Sequence, residues 1–413
     1  MHLFIFFFTI YGVNVLFYSM NSLYKFFIFI FTVPVFLIGS QFAQIGDNVS
    51  LTLDTSASYS NKSNIYKSTT EISDDVFIFS PGVLFNVGAP EAGMDMSLKL
   101  SYQFLRYASL DQLDTDLFSS YFNSQFRGSS TNVILNYNFI ERQSAQSSLL
   151  GRQVSPLDET LIETESDNVN LLISYNYSPK LSLSTGYQLD KLDYSTYSLE
   201  YASKENVTIP LNLTYKYSQK LGIVYGVEFT EREVGDRFDP DTGDLTRSGY
   251  TSDDVFYKIG LNGQLLPKLS GTFNVGYRTV EFSDDRADGN KDTWAMNSRL
   301  LWKVTPKLST NFVLRRNLDS AGSGDSYNTT NISVGNNYKL NTEFSLSLNG
   351  HFAFKEYVEN KNRTDESNTY TLSLNYLPIS NLVLSGTFSY QDNRSHTFKY
   401  KSRDFTLSAN FKY

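Results

Sequence analysis

Chemistry in a protein chain needs particular side chains within reach of one another, and this sequence offers few. Its 413 residues include three histidines and no cysteine. The missing cysteine removes disulfide scaffolds, cysteine zinc sites and thiol nucleophiles. His2 stands in an apolar N-terminal segment, His396 in a polar connection and His351 in an alternating run. A hydrolytic role for His351 would require a positioned serine and a third group to orient the ring. Ser345 and Ser347 share its phase, but so do many other serines, and His351 reads as lining for a polar interior. The segment Asp239-Pro240-Asp241-Thr242-Gly243-Asp244 superficially suggests a calcium loop. That pattern needs Asp or Asn where Gly243 stands, then Gly, then a closing Glu, and a solvated turn is the better reading. Asp253-Asp254 and Asp284-Asp285 are read as hydration for exposed loops, with weak divalent binding as the lesser alternative. No catalytic, cofactor-binding or metal-binding residue is assigned, and the chain is read as a non-enzyme.

What remains is pattern, and pattern points to a scaffold. The chain is 41% hydrophobic, 15% aromatic and only 19% charged. An ordinary cytosolic enzyme carries about 25% charged residues and fewer aromatics, while a disordered chain is far less apolar. A net charge of -8 argues against a nucleic-acid partner. Residues 1–43 read as a secretory leader whose true start is Met20, with an n-region ending at Lys25, an apolar core from Phe26 to Ile38, and small residues Gly39, Ser40 and Ala43 before cleavage. Residues 44–413 therefore fold outside the cytoplasm.

That region alternates apolar and polar residues. Phe344, Leu346, Leu348, Phe352 and Phe354 interleave with Ser345, Ser347, Asn349, His351 and Lys355. Leu221, Ile223, Tyr225, Val227 and Phe229 keep the same period, as do Phe405, Leu407, Ala409, Phe411 and Tyr413. Such runs exceed the roughly 5 to 6 residues of a soluble strand and match the about 9 to 11 needed to cross a bilayer. Tight turns at 178–180, 218–220, 266–268, 305–307, 341–343 and 378–380 alternate with polar connections at 143–166, 191–203, 235–252, 283–291, 319–327, 356–367 and 391–403. The fold class is all-β: a transmembrane antiparallel up-and-down β-barrel of 16–18 strands, best counted as 18, with short periplasmic turns and long extracellular loops.

Closure is a physical requirement, because in lipid every backbone polar group must be paired within the protein. Apolar side chains face outward, aromatics such as Tyr175, Tyr177, Tyr215, Tyr217, Trp294, Trp302, Tyr376 and Tyr390 gather at strand ends, and the inward phase is polar. Parity places Lys99, Glu228, Lys258, Arg278, Arg299, Arg315 and Lys355 in the lumen, with Asp54 and Asp190. These are the candidate pore-lining residues, and they predict a wide, slightly cationic bore that favours anionic or neutral hydrophilic solutes.

The recurring Tyr-x-Ser/Thr-Pro-Lys-Leu-Ser element from Tyr177 to Ser182, its Trp302 to Ser309 form, and Gly-Tyr-Arg at 276–278 resemble the putative beta-barrel porin family of type 2. The likeness covers most of 47–413 and implies an outer-membrane barrel of a Gram-negative bacterium, with some relatives associated with exopolysaccharide export. The expected function is passage or export of hydrophilic solutes, polysaccharide among them. The alternative is a non-conducting structural or adhesive barrel acting through its surface loops. Expected partners are outer-membrane lipid and lipopolysaccharide, the transported solute, and the barrel assembly machinery, engaged through C-terminal Phe411 and Tyr413.

Overall fold

The computed structural model describes residues 43–45, 48–88, 93–150, 160–283, 292–358, 363–395 and 399–413. The leader through residue 42, with His2, and also His396 and the Asp284-Asp285 pair lie outside the described residues. Eighteen strands form the barrel. They are β1 (Val49–Lys62), β2 (Asp74–Ser80 resuming as Gly82–Val87), β3 (Met94–Tyr107), β4 (Thr115–Arg127), β5 (Thr131–Ala145), β6 (Leu161–Asn176), β7 (Leu181–Tyr194), β8 (Lys204–Lys216) and β9 (Leu221–Val234). The ring continues with β10 (Tyr250–Leu266), β11 (Leu269–Phe282), β12 (Thr293–Lys303), β13 (Leu308–Ser320), β14 (Ser326–Lys339), β15 (Phe344–Tyr357), β16 (Thr364–Ile379), β17 (Leu382–Ser395) and β18 (Lys399–Lys412).

Each strand pairs antiparallel with its sequence neighbour, and β18 returns to β1 through a ladder from Asp54↔Lys412 to Lys62↔Asp404. The ring has no open edge, which is the condition for a sheet to cross lipid. Pro81, which has no N–H to donate, divides β2, yet its carbonyl accepts the amide of Tyr102 on β3. Below the C-terminus of β18, the short strand Ala43–Ile45 takes over as the partner of β1.

The repeated turn element has a local cause. Ser178 Oγ accepts the amides of Lys180 and Leu181, Ser218 Oγ those of Lys220 and Leu221, and Thr305 Oγ1 those of Lys307 and Leu308. Asn341 does the same with its side-chain carbonyl. A short polar side chain at the head of each turn thus satisfies amides that no strand can reach. The turn expected at 378–380 lies instead at Ser380-Asn381, because β16 continues through a register shift around Pro378 and re-pairs at Ile379↔Leu382.

Alternation sorts the two faces. On β8, Ile209, Leu211, Leu213 and Tyr215 are exposed to the outside, whereas Thr208, Asn212 and Thr214 point inward and are shielded. Tyr177 and Tyr217, both 71% exposed, mark the short-turn end of this apolar exterior. At the other end the ladders outrun the hydrophobic pattern. The connections expected at 143–166, 191–203 and 391–403 shrink to 146–160, 195–203 and 396–398. Above the apolar band both faces are polar, so the period-two signal fades while backbone pairing continues, as in Glu165↔Asp193.

Candidate functional site

The bore is the concave surface that the sequence singles out, and register fixes what lines it. One inward row runs Thr272, Arg299, Val313, Ser333, His351, Thr369 and Gln391 across β11 to β17. The next runs Asn274, Asn297, Arg315, Asn331, Ala353, Ser367 and Asn393. Neutral hydrogen-bonding side chains dominate this half of the wall and bond mainly to each other, as in Ser385 to Asn375 at 2.8 Å and Thr387 to Ser373 at 3.0 Å. His351 Nδ1 lies 2.8 Å from Ser333 Oγ. Among the described residues no carboxylate completes that pair and no three acidic or histidine side chains converge as a metal site.

All seven candidate lining residues lie on the inward phase, in different company. Lys99 Nζ donates to Asp54 Oδ2 at 2.9 Å, and Lys258 is bonded to Glu228. Arg278 is 6% exposed and shares Asp254 with Arg232. Asp254 is thus no hydrated loop residue: β10 sends Asp253 outward to solvent and Asp254 inward, where two guanidinium groups compensate its charge. Arg232 is a lumen residue that sequence reasoning left out, although it precedes the connection expected at 235–252 and its parity with Glu228 on β9 assigns it to the lumen. Lys355 Nζ sits 4.5 Å over the Tyr327 ring. Arg299 and Arg315 have no ion pair among the described residues, and Asp190 feels the field of Arg315 from the opposite wall.

The mouth at the long-loop end is filled. Residues 318–329 are buried on both parities, except for the half-buried Asp319 and Asp325, so alternation stops where the β13–β14 hairpin leaves the wall and enters the bore. Lys204 Nζ on β8 donates to Asp319 Oδ1 at 2.8 Å, and Arg247 Nη1 meets Asp325 Oδ1 at 2.6 Å. The hairpin tip joins the facing loops by backbone bonds: Gly322 N–H donates to Leu149 O at 3.0 Å and Ala202 N–H to Gly322 O at 2.9 Å. Leu318 packs in an apolar cluster with Val234, Tyr250, Val280, Phe282 and Val358, and Tyr327 rests on Tyr357 with centroids 5.4 Å apart. Tyr201, in the loop after β7, is 1% exposed. Burial pushes its hydroxyl well above the usual tyrosine range. The connection expected at 319–327 to stand at the surface is therefore a plug, and the polar-lined bore lies beneath it.

Residues 204–413, from β8 to the C-terminus, match the family model described as Putative beta-barrel porin 2. No curated protein matches the chain. Among solved structures, BauA, the ferric preacinetobactin receptor of Acinetobacter baumannii, is 11% identical with a TM-score of 0.45, over 87% of this chain and 80% of that one. OpdK of Pseudomonas aeruginosa, solved with vanillate, is 10% identical with a TM-score of 0.45, over 88% and 99%. OccAB3 of Acinetobacter baumannii is 12% identical with a TM-score of 0.45, over 89% and 100%.

Proposed function

Because the chain belongs to the Putative beta-barrel porin 2 family, we propose that it is a channel of a Gram-negative outer membrane that passes small hydrophilic solutes and is closed when the hairpin fills its mouth. The observation that carries this reading is the contrast along the bore. From β11 to β18 its lower wall is mainly Ser, Thr, Asn and Gln with Arg299, Arg315 and His351 among them, while among the described residues the 318–329 hairpin and the loops that meet it fill the mouth. A wall of that chemistry holds water and gives a hydrophilic solute hydrogen-bond partners along its path. Lys99 and Lys258 are neutralised by Asp54 and Glu228, so Arg299 and Arg315 supply a mild preference for anions. Passage of a polysaccharide strand is the extended form of the proposal and requires the hairpin to leave the mouth. Phe411 and Tyr413, which stack at 5.8 Å on β18, would present the aromatic terminus to the barrel assembly machinery, and lipopolysaccharide would surround the upper exterior.

Planar-bilayer recording tests this directly, with the intact chain beside a variant in which residues 319–326 are replaced by a two-residue turn. The intact chain should open rarely and the variant steadily, with oligosaccharide blocking the variant's current if glycans enter. A silent variant would favour the second reading, a structural or adhesive barrel acting through its loops. The filled mouth is the observation on that side.

A further inference from the structure

Above the apolar band, the exterior of β8 to β11 carries carboxylates in direct register: Glu205 faces Glu233, Glu231 faces Asp253, and Asp253 faces Glu281. Like charges directly opposite on neighbouring strands are destabilising; Lys191 stands opposite Glu205 but pairs with Asp193, and none of these five has an ion-pair partner among the described residues. Nearly half the circumference away, at matching height, β17 and β18 present Arg394, Lys399, Lys401 and Arg403 on the same outer face. Arg394 is held by Asp392 at 2.9 Å and stands opposite Glu366, Lys401 stands opposite Asp392, and Lys399, Lys401 and Arg403 have no ion pair among the described residues, so four cations outnumber two carboxylates on this face. The rim of the barrel is thus acidic on one side and basic on the other.

A second feature coincides with the acidic side. Directly below that row the outer wall is hollowed into a groove of about 810 Å³, lined by Ile173, Leu183, Leu213, Tyr225, Ile259 and Val275 from β6 to β11. A barrel exterior is ordinarily convex, so this hollow accepts a convex apolar surface. The β17–β18 face offers one in Phe388, Phe405 and Leu407, beneath its basic rim. The phosphates of outer-leaflet lipopolysaccharide would repel the acidic row and attract the basic one, which leaves the acidic face in want of a cationic neighbour of its own kind.

We infer that the barrels associate side by side, the β17–β18 face of one copy seated in the β6–β11 groove of the next. The contact is heterologous, two different patches of the same chain, and because the patches lie on opposite sides it propagates as a row. This rests on the barrel spanning a membrane and not on its conducting, so a silent channel would leave it intact.

The test uses the absence of native cysteine. Full-length Glu233→Cys and Lys401→Cys, differently tagged, are expressed together or singly and exposed to mild oxidant in membranes. The inference expects a disulfide-linked dimer containing both tags in the mixture and none in either variant alone. It is overturned by cross-linking of a single variant with itself, which would mean isologous packing, or by no cross-link in the mixture while heat-modifiable migration shows both barrels folded. Charge reversal gives an independent readout. E231K/E233K/D253K and K399E/K401E/R403E should each release monomers on native gels, and the chain carrying both sets should associate again. Failure of the combined variant to associate again while heat-modifiable migration shows it folded, or unchanged association in both single sets, ends the proposal.

Discussion

Lys204 and Asp319 meet across the bore, Nζ to Oδ1 at 2.8 Å, although β8 and β13 stand five strands apart in the ring. Lys204 also donates to Ser320 O at 3.3 Å, so one ammonium pins the end of β13 and the beginning of the plug. Lys204→Ala should therefore raise the open probability of the channel. The pair is partly solvated, with side chains 22% and 36% exposed, so its loss is worth about 1 kcal/mol. Single-channel records should then show a roughly fivefold rise in the open-to-closed ratio, and the swap Lys204→Asp with Asp319→Lys should restore closure.

Gly322 reports on the plug by sterics alone. A Cβ there would lie 2.7 Å from Tyr194 Oη and 3.2 Å from Leu149 O. Gly322→Val should expel the hairpin at a cost to the closed state of about 1 to 3 kcal/mol. Conductance should rise while heat-modifiable gel migration stays as in the parent chain. A rise in conductance accompanied by loss of heat-modifiability would point to barrel damage instead.

Asp254→Asn should be the most damaging of the lumen substitutions. It would leave the Arg232 and Arg278 side chains, both buried, side by side without the carboxylate they share. Removing one partner of a buried ion cluster costs roughly 3 to 5 kcal/mol, read as a lowered temperature of conversion from the folded to the unfolded gel band. Asp253→Asn, one residue away and facing outward between Glu231 and Glu281, should leave that temperature no lower and raise it slightly, because it relieves like-charge contacts across the ladder.

The selectivity of the open state should follow pairing, not residue type. Arg299→Glu with Arg315→Glu should invert the reversal potential measured in a salt gradient. Lys99→Gln with Asp54→Asn should leave it unmoved, since that pair adds no net charge to the bore.

Asp239 gives a pH prediction outside the membrane. Amide donation from Thr242, and then from Asp241, holds its carboxyl below the ordinary 3.8. A depressed folded value means that the ionised turn is favoured above the ordinary aspartate range, and that this preference is lost as pH falls from 3.8 through the folded value. Limited proteolysis at 239–244 should accelerate over that acid window, and Asp239→Asn should show the faster cleavage already at neutral pH.

The barrel was legible from residues such as Leu221, Ile223, Tyr225, Val227 and Phe229, because a wall with lipid on one side and water on the other imposes period two along the chain. The heads of the turns were legible too, through Ser178, Ser218 and Thr305. The plug was not. Leu318 and Val358 resemble any half-buried loop residues, and what buries them is contact with Val234, Tyr250 and Phe282, distant in sequence, while Tyr327 is buried against Ala321 and Tyr357. The split between Asp253 and Asp254 was within reach, because both lie past the connection expected at 235–252. Two adjacent carboxylates read as loop hydration, whereas strand parity on β10 sends one outward and one inward.

Closure of β1 on β18 also governs how the molecule comes into being. The other pairings in the ring join strands adjacent in sequence, so each hairpin can form locally as its second strand arrives. The seam is different: Ser60 Oγ and Thr406 Oγ1 meet at 2.8 Å from positions 346 residues apart. Contacts of such sequence separation are the slow ones, since the whole intervening chain must be ordered before they give anything back. Until Phe405 reaches Asn61, the first and last strands each expose a full row of unpaired amides and carbonyls. A chain stopped before Lys399 would hold most of its hairpins and still be an open sheet, prone to pair with any other edge it meets.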